Sequence, residues 1–470
     1  MGRQNPSTLP SDFFFGAAMS GPQTESMWQA HGKLENLWDL WSNQDIRAFY
    51  NRVGSYAGND MGARYADDYR LLRELGLTSM RTSIQWSRLM DADGKLNPAG
   101  ADFYHRLFAA AHEAGVEPFV NLYHFDMPTY LFRRGGWENR EVVEAYANYA
   151  RTAFAEFGQE ITYWFTFNEP IVEPEQRYEH GAWYPFAHNA ARARCVQYGI
   201  SLAHALATDT FRGLQESGVV RADAKIGLIN CFTPPYTREN PSPADLEAVR
   251  MADGIGNRWW LDLVTKGTLP ADVVDTLASR GIVLPVRAGD KDILARGVVD
   301  WLGFNYYQPN RVQAPEHDID EYGNPCFAQK YVWPDAVINK SRGWEIYPKG
   351  IYDFAMTMTR DYPQLEWFVS ENGIGVEEDR ALRTADGAID DLAYRVPFVR
   401  DHLLWIARAI ADGARCRGYH YWGVIDCWSW NNAYKNRYGF IEVNLQDNYS
   451  RKLKASAEWL RQVATTHVIE

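Results

Sequence analysis

The chain of 470 residues alternates short apolar runs with amphipathic segments from one end to the other. Near-continuous apolar character predicts strands that are buried on both faces, as in a parallel sheet. Eight runs have this character, and they lie at 13–21, 78–84, 117–125, 161–170, 225–231, 299–307, 365–373 and 417–426.

The segments between the runs have helical periodicity and end at glycines. Leucines recur at helical spacing in 63–76, and 101–115 and 139–158 have the same character. Eight strand–helix units predict an α/β fold, a (β/α)8 TIM barrel that spans residues 1–470 as one catalytic domain. The alternative is a doubly wound sheet, although no GxGxxG follows the first strand.

Three segments are longer than ordinary connections between strands and helices, namely 32–62, 171–224 and 308–350. We expect them to form elaborated loops over the C-terminal face of the barrel.

Charge and cysteine content restrict the class of partner. A formal net charge of −12 argues against a general binder of nucleic acid or of anionic membranes. The five cysteines are scattered without a CxxC pair, which is typical of a reducing compartment. We recognise neither a signal peptide nor a membrane-spanning run, so we expect a cytoplasmic protein.

We expect no cofactor and no metal, because the sequence contains no P-loop, dinucleotide fingerprint or HExxH pair. The oligomeric state is left open by the sequence. Aromatic residues make up 14% of the chain, including 18 tryptophans, which suits either core packing or a sugar-binding cleft.

Functional side chains of a TIM barrel lie at the C-terminal ends of its strands. The polar or aromatic residues at these ends are Gln23, Glu25, Arg81, His124, Asp126, Asn168, Glu169, Asn305, Tyr307, Glu371 and Trp422. Glu169 and Glu371 would face each other across the barrel mouth, as glycoside hydrolysis by two carboxyl groups requires. The alternative for each is a structural ion pair with an arginine.

Motifs around the two glutamates carry a resemblance. "TFNEP" (166–170) and "SENG" (370–373) resemble the acid/base and nucleophile motifs of family-one glycoside hydrolases, the retaining β-glycosidases. Further motifs agree in order, and they are "RTSIQWSR" (81–88), "YHFDMP" (123–128), "GFNYY" (303–307), "GWEIYP" (343–348) and "RYGF" (437–440). The resemblance covers the chain from about Phe13 to the C-terminus.

The resemblance implies a role for each matching position. Glu169 would be the acid/base and Glu371 the nucleophile, with carboxyl groups roughly 5 Å apart. Arg81 and Tyr307 would keep Glu371 ionised and aligned. The substrate-binding positions would be Asn168 for the 2-hydroxyl, Gln23, His124, Asn305 and Trp422 elsewhere on the sugar, and Trp344 for the aglycone wall. Asp126 and Asp426 would be structural.

The stretch "CWSWNNAYKNRYGF" (427–440) is rich in aromatic and basic residues and contains no acid. In family members that act on unmodified sugars, a glutamate usually stands seven residues after the tryptophan of the eighth strand. Here that tryptophan is Trp422, and the residue seven positions later is Ser429. A carboxylate would repel a phosphate at carbon 6, whereas a serine hydroxyl can donate to it.

Lys435, Arg437 and Tyr438 follow Ser429 and could complete a phosphate-binding site. This resembles the phospho-β-glycosidase branch of the family, as does "GAAMSGPQTES" (16–26), although Ser26 replaces the usual glycine. One departure is that the lysine of that branch can fall seven residues after the serine, where this chain has Asn436. Lys435 and Arg437 could instead be solvated surface charges.

The expected function is therefore retaining hydrolysis of 6-phospho-β-glycosides, a small-molecule substrate. We favour the gluco configuration, with activity on both configurations as an alternative. Trp430 would lie near the 4-hydroxyl, but a tryptophan there does not distinguish the two configurations. The alternatives are a β-glucosidase or β-galactosidase for unphosphorylated sugars, and a 6-phospho-β-galactosidase. A catalytically inactive barrel is disfavoured by the two glutamates, and an aldolase by the absence of a strand-end lysine.

Overall fold

Eight parallel strands close into a barrel, which confirms the predicted fold class. The computed structural model describes residues 7–27, 29–377 and 379–470. The barrel strands are β1 (Phe14–Ala18), β2 (Ser79–Ser83), β3 (Glu117–Asn121), β4 (Tyr163–Asn168), β5 (Lys225–Cys231), β6 (Trp301–Asn305), β7 (Glu366–Asn372) and β8 (Cys416–Trp422). Each strand pairs with the next one in the chain, and β8 pairs with β1.

Helices surround the barrel. Among the described residues, those of eight residues or more are α1 (Leu37–Gln44), α2 (Met61–Glu74), α3 (Pro98–Glu113), α4 (Arg140–Phe157), α5 (Ala190–Glu216), α6 (Pro243–Asp253), α7 (Trp259–Lys266), α8 (Ala271–Ser279), α9 (Lys349–Asp361), α10 (Arg395–Ala411) and α11 (Ala457–Thr466). None of the described helices is both long enough and apolar enough to span a membrane.

Aromatic rings fill the N-terminal part of the barrel interior. Phe119, Trp301 and Phe368 form a buried cluster, and the ring of Phe14 packs against all three at 5.4–6.0 Å between centroids. Layers of bulky side chains are typical of TIM barrels, whose interior is packed rather than open. Polar side chains are therefore left to the opposite, C-terminal end of the strands.

Helix α4 anchors the ends of the strands that carry the site. It begins after Asn139, whose side chain accepts a hydrogen bond from the Glu141 backbone N–H, and one face of the helix is buried. From that face the Tyr149 hydroxyl donates to the carbonyls of Ile84 and Leu122, at 3.0 and 2.8 Å. These two carbonyls follow β2 and β3 directly, so the helix fixes the exits of both strands.

The long connections only partly match the expectation of loops. Half of 171–224 is the 27-residue helix α5, which packs on α4, so the prediction of a loop was wrong there. The length of the segment suggested a loop because the turns between β4 and helix α5 are added to the helix itself. Segment 308–350 is mostly irregular, with a small hairpin of Ile338–Asn339 and Trp344–Glu345.

A second small ladder joins two loops above the barrel. Val376–Glu377 pairs antiparallel with Asn436–Arg437, so that Val376 faces Arg437 and Glu377 faces Asn436. Successive side chains of a strand point to opposite sides. The side chain of Asn436 therefore lies on the same side of the ladder as that of Glu377, and Arg437 on the same side as Val376.

Candidate active site

The ends of β2, β4, β6 and β7 bring a connected set of polar side chains into contact. Asn305, the last residue of β6, donates through Nδ2 to Asn168 Oδ1 at 3.1 Å. Arg81 on β2 also donates to Asn168 Oδ1, and Asn168 Nδ2 donates to His124 Nε2 at 3.2 Å. Residues that are far apart in the sequence thus meet at the barrel mouth, as expected.

Glu371, near the end of β7, is held by a cation and a hydroxyl. Arg81 Nη2 pairs with one of its carboxylate oxygens, and the Tyr307 hydroxyl donates to the other at 2.7 Å. Burial raises the pKa of Glu371, while Arg81 and Tyr307 oppose that shift. Both contacts are those that a carboxylate nucleophile needs in order to stay ionised and oriented.

Glu169 directly follows β4 in an unusual backbone conformation and an unusual electrostatic environment. Its φ of +45° lies in the left-handed region, which residues other than glycine seldom adopt. Desolvation, and secondly the negative charge of Glu371, raise the pKa of Glu169 to about 8. Asn305 Nδ2 donates to its Oε1 at 3.0 Å. A carboxyl group in this environment is protonated at neutral pH and can act as a general acid.

Aromatic rings line the mouth beside the two glutamates. The imidazole of His124 stacks on Trp422 at 6.0 Å between centroids, and Trp422 in turn faces the Arg81 guanidinium at 5.6 Å. Trp430 approaches His124 at 5.8 Å. Burial lowers the pKa of His124 well below its usual value, so the ring is neutral, and its Nδ1 has no hydrogen-bond partner among the described residues.

Gln23 links the first strand to the loop after the last one. Its Nε2 donates to the Trp428 carbonyl at 2.9 Å, and its Oε1 accepts from the Ser20 hydroxyl at 2.8 Å. The side chain is fully buried, and it holds the segment that carries Ser429 against the barrel mouth.

Trp344 reaches the site from the hairpin in segment 308–350. Its ring lies 5.3 Å from that of Tyr307, the residue that donates to Glu371. Tyr438 lies in the same region, because it belongs to a buried cluster with Trp422 and Cys427 against which Tyr307 packs. Trp344 and Tyr438 therefore join the predicted cluster.

Ser429 has a hydroxyl without a hydrogen-bond partner among the described residues. The residue is 6% exposed, and its backbone N–H donates to the Ala433 carbonyl at 2.8 Å, but its side chain makes no hydrogen bond within the described part of the chain. The Tyr438 hydroxyl is likewise free of described partners, while its carbonyl accepts from Tyr421 at 2.9 Å. Two free hydroxyl donors thus lie in the loop that contains no acid.

The two cations of this loop do not join the cluster. Arg437 pairs with the buried carboxylate of Asp426 at 3.1 Å and donates to the Val443 carbonyl. Lys435 Nζ lies 3.7 Å from Glu377 Oε2, and both line a separate cavity. The structure therefore does not bring Lys435, a predicted substrate contact, to the cluster, because Lys435 lies beside Glu377 at the other cavity.

Two residues near the site were missed by the sequence analysis. Arg342 lies with its Cζ 4.2 Å from the centroid of the Trp344 ring, and Trp38 stacks on Trp430 at 4.3 Å. Arg342 directly precedes the motif "GWEIYP", which could have indicated it. Trp38 lies in α1, where a buried tryptophan gives no signal that separates site support from ordinary packing.

Asp126 and Asp426, which the sequence suggested are structural, are fully buried. Asp426 accepts from Arg437, from Lys454 Nζ at 3.1 Å and from the Gly439 N–H at 2.8 Å. Desolvation raises the pKa of Asp126 to about 7. Within residues 7–27, 29–377 and 379–470, no group of three or more His, Cys, Asp or Glu side chains is arranged to hold a metal ion.

A cavity of about 510 Å³ opens on the Glu169 side of the mouth. Its lining includes Ile171, Glu175, Cys231 and Gln308, which all follow or end barrel strands. The charge of Glu169 contributes to a raised pKa of the Cys231 thiol, after burial, which places the cavity wall close to Glu169. The cavity has room for a group attached to a sugar bound between the two glutamates.

Relatives of this chain include two glycosidases named for phosphorylated sugars and one named for an unphosphorylated sugar. The 6-phospho-beta-glucosidase GmuD of Bacillus subtilis is 43% identical over 97% of each chain. The 6-phospho-beta-galactosidase of Streptococcus mutans is 33% identical, and the alignment covers 98% of this chain and 99% of the relative. Beta-glucosidase A of Acetivibrio thermocellus is 30% identical, with 97% and 98% covered.

Solved structures of beta-glucosidases have the same fold. The Thermotoga maritima enzyme in complex with glucoimidazole superposes with a TM-score of 0.86 at 27% identity, covering 98% of this chain and all of that one. The psychrophilic enzyme BglU of Micrococcus antarcticus gives 0.88 at 30% identity, with 98% of both chains covered. The family model described as glycosyl hydrolase family 1 matches residues 5–469. The chain is therefore a glycoside hydrolase that belongs to glycosyl hydrolase family 1.

Proposed function

We propose that this enzyme hydrolyses 6-phospho-β-D-glycosides with retention of configuration and releases glucose 6-phosphate from gluco substrates. The observation that carries the proposal is Ser429, an unpartnered hydroxyl where the family resemblance leads one to expect a glutamate. The 43% identity to a 6-phospho-beta-glucosidase over nearly the whole chain supports it.

In the first step, the Glu371 carboxylate attacks the anomeric carbon while Glu169 gives its proton to the leaving oxygen. The bond from carbon 1 to the aglycone oxygen breaks as the bond to Glu371 forms. Glu169, now a carboxylate, then takes a proton from water, and the water oxygen displaces Glu371 from carbon 1. The enzyme returns to its starting protonation state.

The close carboxyl spacing of retaining enzymes is supported by Asn305. Its amide donates to Glu169, and hydrogen bonding to the same amide also lowers the pKa of Glu371. One amide that reaches both carboxyl groups favours the shorter of the two separations known for glycosidases, about 5 Å.

The sugar is held by the polar ring around the glutamates. We assign Asn168 to the 2-hydroxyl, because Arg81 and Asn305 already fix its amide oxygen, which leaves the group rigid. Gln23, His124 and Trp422 would contact the remaining hydroxyls, and Trp430 would lie near the 4-hydroxyl. Asn305 would act on both glutamates.

The phosphate at carbon 6 would be bound by the hydroxyls of Ser429 and Tyr438. The aglycone would lie between Trp344 and the cavity beside Glu169. We favour glucose over galactose, because the relative that is a 6-phospho-beta-glucosidase is more similar than the 6-phospho-beta-galactosidase. We also infer a cytoplasmic location, where sugars phosphorylated during uptake become available.

A second candidate is hydrolysis of unphosphorylated β-glucosides. The beta-glucosidase folds among the structural neighbours, and the position of Lys435 outside the cluster, favour this reading.

Four nitrophenyl substrates separate these candidates: the β-glucoside, the β-galactoside and the 6-phosphate of each. We expect kcat/KM to be higher by at least about 100-fold for the phosphorylated glucoside than for the plain one, the effect of two to three charge-assisted hydrogen bonds. Equal or better rates on the plain sugars would reject the phosphate proposal. The comparison between the two phosphates tests the choice of sugar.

A further inference from the structure

Arg342 is a cation at the edge of the candidate site, and no acid of the described chain pairs with it. It lies in the turn of the hairpin formed by Ile338–Asn339 and Trp344–Glu345. Its guanidinium covers the face of Trp344 at 4.2 Å, and it forms no ion pair and no side-chain hydrogen bond with any described residue. Its Nε is nevertheless shielded from solvent. A shielded, unsatisfied donor on an arginine is costly unless a ligand satisfies it.

The hairpin turn is fastened to the strand that precedes Tyr438. Asn436 Nδ2 donates to the carbonyl of Ser341 at 3.2 Å, and the Glu377 N–H donates to the Ser341 hydroxyl at 3.0 Å. Arg342 is the residue that follows Ser341. Its backbone is therefore held directly beside the 436–438 segment.

Gly375 joins the same turn to the Tyr438 ring. Asn339 Nδ2 donates to the Gly375 carbonyl at 3.0 Å, and a Cβ at Gly375 would stand 2.5 Å from Tyr438 Cζ. The ring thus packs directly over the glycine. Arg342 is also the charge with the largest effect on the Tyr438 hydroxyl, where it opposes the rise in pKa to about 12 that burial causes.

The cations of the loop after β8 are already engaged by acids. Asn436 contacts the hairpin, while Lys435 lies beside Glu377 and Arg437 pairs with Asp426. Neither of these two cations forms an ion pair or hydrogen bond in the Tyr438 cluster within the described part of the chain. Arg342 supplies a positive charge from across the loop.

We propose that Arg342 binds the 6-phosphate of the substrate, together with the hydroxyls of Tyr438 and Ser429. The inference rests on the proposed function and adds to it the residue that provides the positive charge. A guanidinium can donate two parallel hydrogen bonds to phosphate oxygens, which suits a dianionic group better than hydroxyls alone. Stacking on Trp344 fixes the plane of the guanidinium before the substrate arrives.

The test compares the unmodified enzyme with Arg342→Gln, Arg342→Lys, Lys340→Gln and Lys435→Gln. The substrates are nitrophenyl β-glucoside 6-phosphate and the unphosphorylated glucoside. Arg342→Gln should lower kcat/KM for the phosphate by about 10- to 100-fold, the value of a hydrogen-bonded charge. It should leave kcat/KM for the plain glucoside within about threefold, because that substrate has no phosphate. Both substrates carry the same aglycone, so an effect through the Trp344 wall would appear on both. Lys340→Gln is the matched control, because Lys340 is exposed two residues away in the same hairpin.

Inhibition by glucose 6-phosphate gives a readout that does not depend on turnover. The inhibition constant should rise by a similar factor in Arg342→Gln, should recover partly in Arg342→Lys, and should not change in Lys340→Gln. Circular dichroism and thermal melting confirm that each variant folds, and Arg342→Lys serves if the glutamine variant does not.

Three outcomes separate the two proposals. If the unmodified enzyme shows no preference for phosphate, the proposed function fails. If that preference exists and persists in Arg342→Gln, the assignment of Arg342 is wrong while the function stands. If Lys435→Gln removes the preference instead, the charge comes from the loop after β8, which also overturns the assignment.

Discussion

Arg81 and Glu371 form an ion pair in which neither side chain is more than 5% exposed, at the end of the barrel where the two strands open. Such a pair is expensive to desolvate and does not by itself stabilise a fold. The pair lies next to Glu169, and the Tyr307 hydroxyl donates to the other oxygen of Glu371. Both features fit a role in holding a nucleophile. The first prediction follows from this pair.

Replacement of Glu371 by alanine should lower kcat on every substrate by about 10⁴-fold or more, because no other group can form the covalent bond to carbon 1. Added azide should restore part of the rate and give the α-glycosyl azide, since the anion enters from the face that the carboxylate left. Near-normal turnover, or a β-azide product, would contradict the assigned role. The exposed Glu458 is a suitable control position for the same replacement.

The protonation of Glu169 should set the alkaline limit of activity. Its pKa of about 8 means that the proton for the leaving group is present below pH 8 and is lost above it. We therefore expect kcat/KM to fall as the pH rises through about 8. In Glu169→Gln that alkaline limb should be absent. An unchanged limb in the variant would assign the titration to another group.

The loss of the acid should depend on the leaving group. With an aglycone of low pKa, such as dinitrophenol, Glu169→Gln should form the glycosyl-enzyme at nearly the normal rate, because the leaving oxygen needs no proton. With a poor leaving group the same variant should lose about 10²- to 10⁴-fold. Equal losses on both substrates would argue against general acid catalysis by this residue, and pre-steady-state release of the phenol is the measurement.

Introducing a carboxylate at Ser429 should discriminate between the two substrate classes. Ser429→Glu places a negative charge next to the phosphate, so kcat/KM on the phosphorylated glucoside should fall by about 100-fold or more. Activity on the plain glucoside should be kept or increased. Ser429→Ala, which removes the hydroxyl without adding charge, should cause a smaller loss on the phosphate. Equal losses on both substrates in Ser429→Glu would remove Ser429 from the phosphate site.

Asp426 should be needed for stability, not for catalysis. Its carboxylate accepts from Arg437 and Lys454, and Asp426→Asn would remove the acid that pairs with the buried Arg437 and leave Lys454 with Asp379. We expect the free energy of unfolding to fall by about 3–5 kcal/mol. Asp412→Asn, at a more exposed ion pair with Arg408, should cost no more than about 1 kcal/mol. Denaturant titration measures both, and similar losses would contradict the structural role of Asp426.

The sequence predicted the barrel and the residues at its strand ends, because both depend on local patterns. Strand polarity and the rule that barrel function lies at the C-terminal ends are enough to bring Arg81, Asn168, Asn305 and Glu371 together. The family motifs identify the same positions. No long-range detail is needed for either step.

The positions of Lys435 and Arg342 required the three-dimensional structure. Lys435 lies beside Glu377, which a ladder of two residues on each side brings next to this loop, and so short a ladder has no detectable periodicity. Arg342 lies in an irregular loop whose closure depends on hydrogen bonds from Asn436 and Asn339. Neither contact is encoded in a pattern that one sequence displays.

The hydrogen bonds of Asn436 and Asn339 tie the loops after β6, β7 and β8 together, so the proposed phosphate site is a joint product of segments far apart in the sequence. A change in one loop can therefore alter specificity while the others stay the same. A sequence classifier that reads only the loop after β8 would leave Arg342 unweighted. It would have to score the residue before "GWEIYP" together with Ser429.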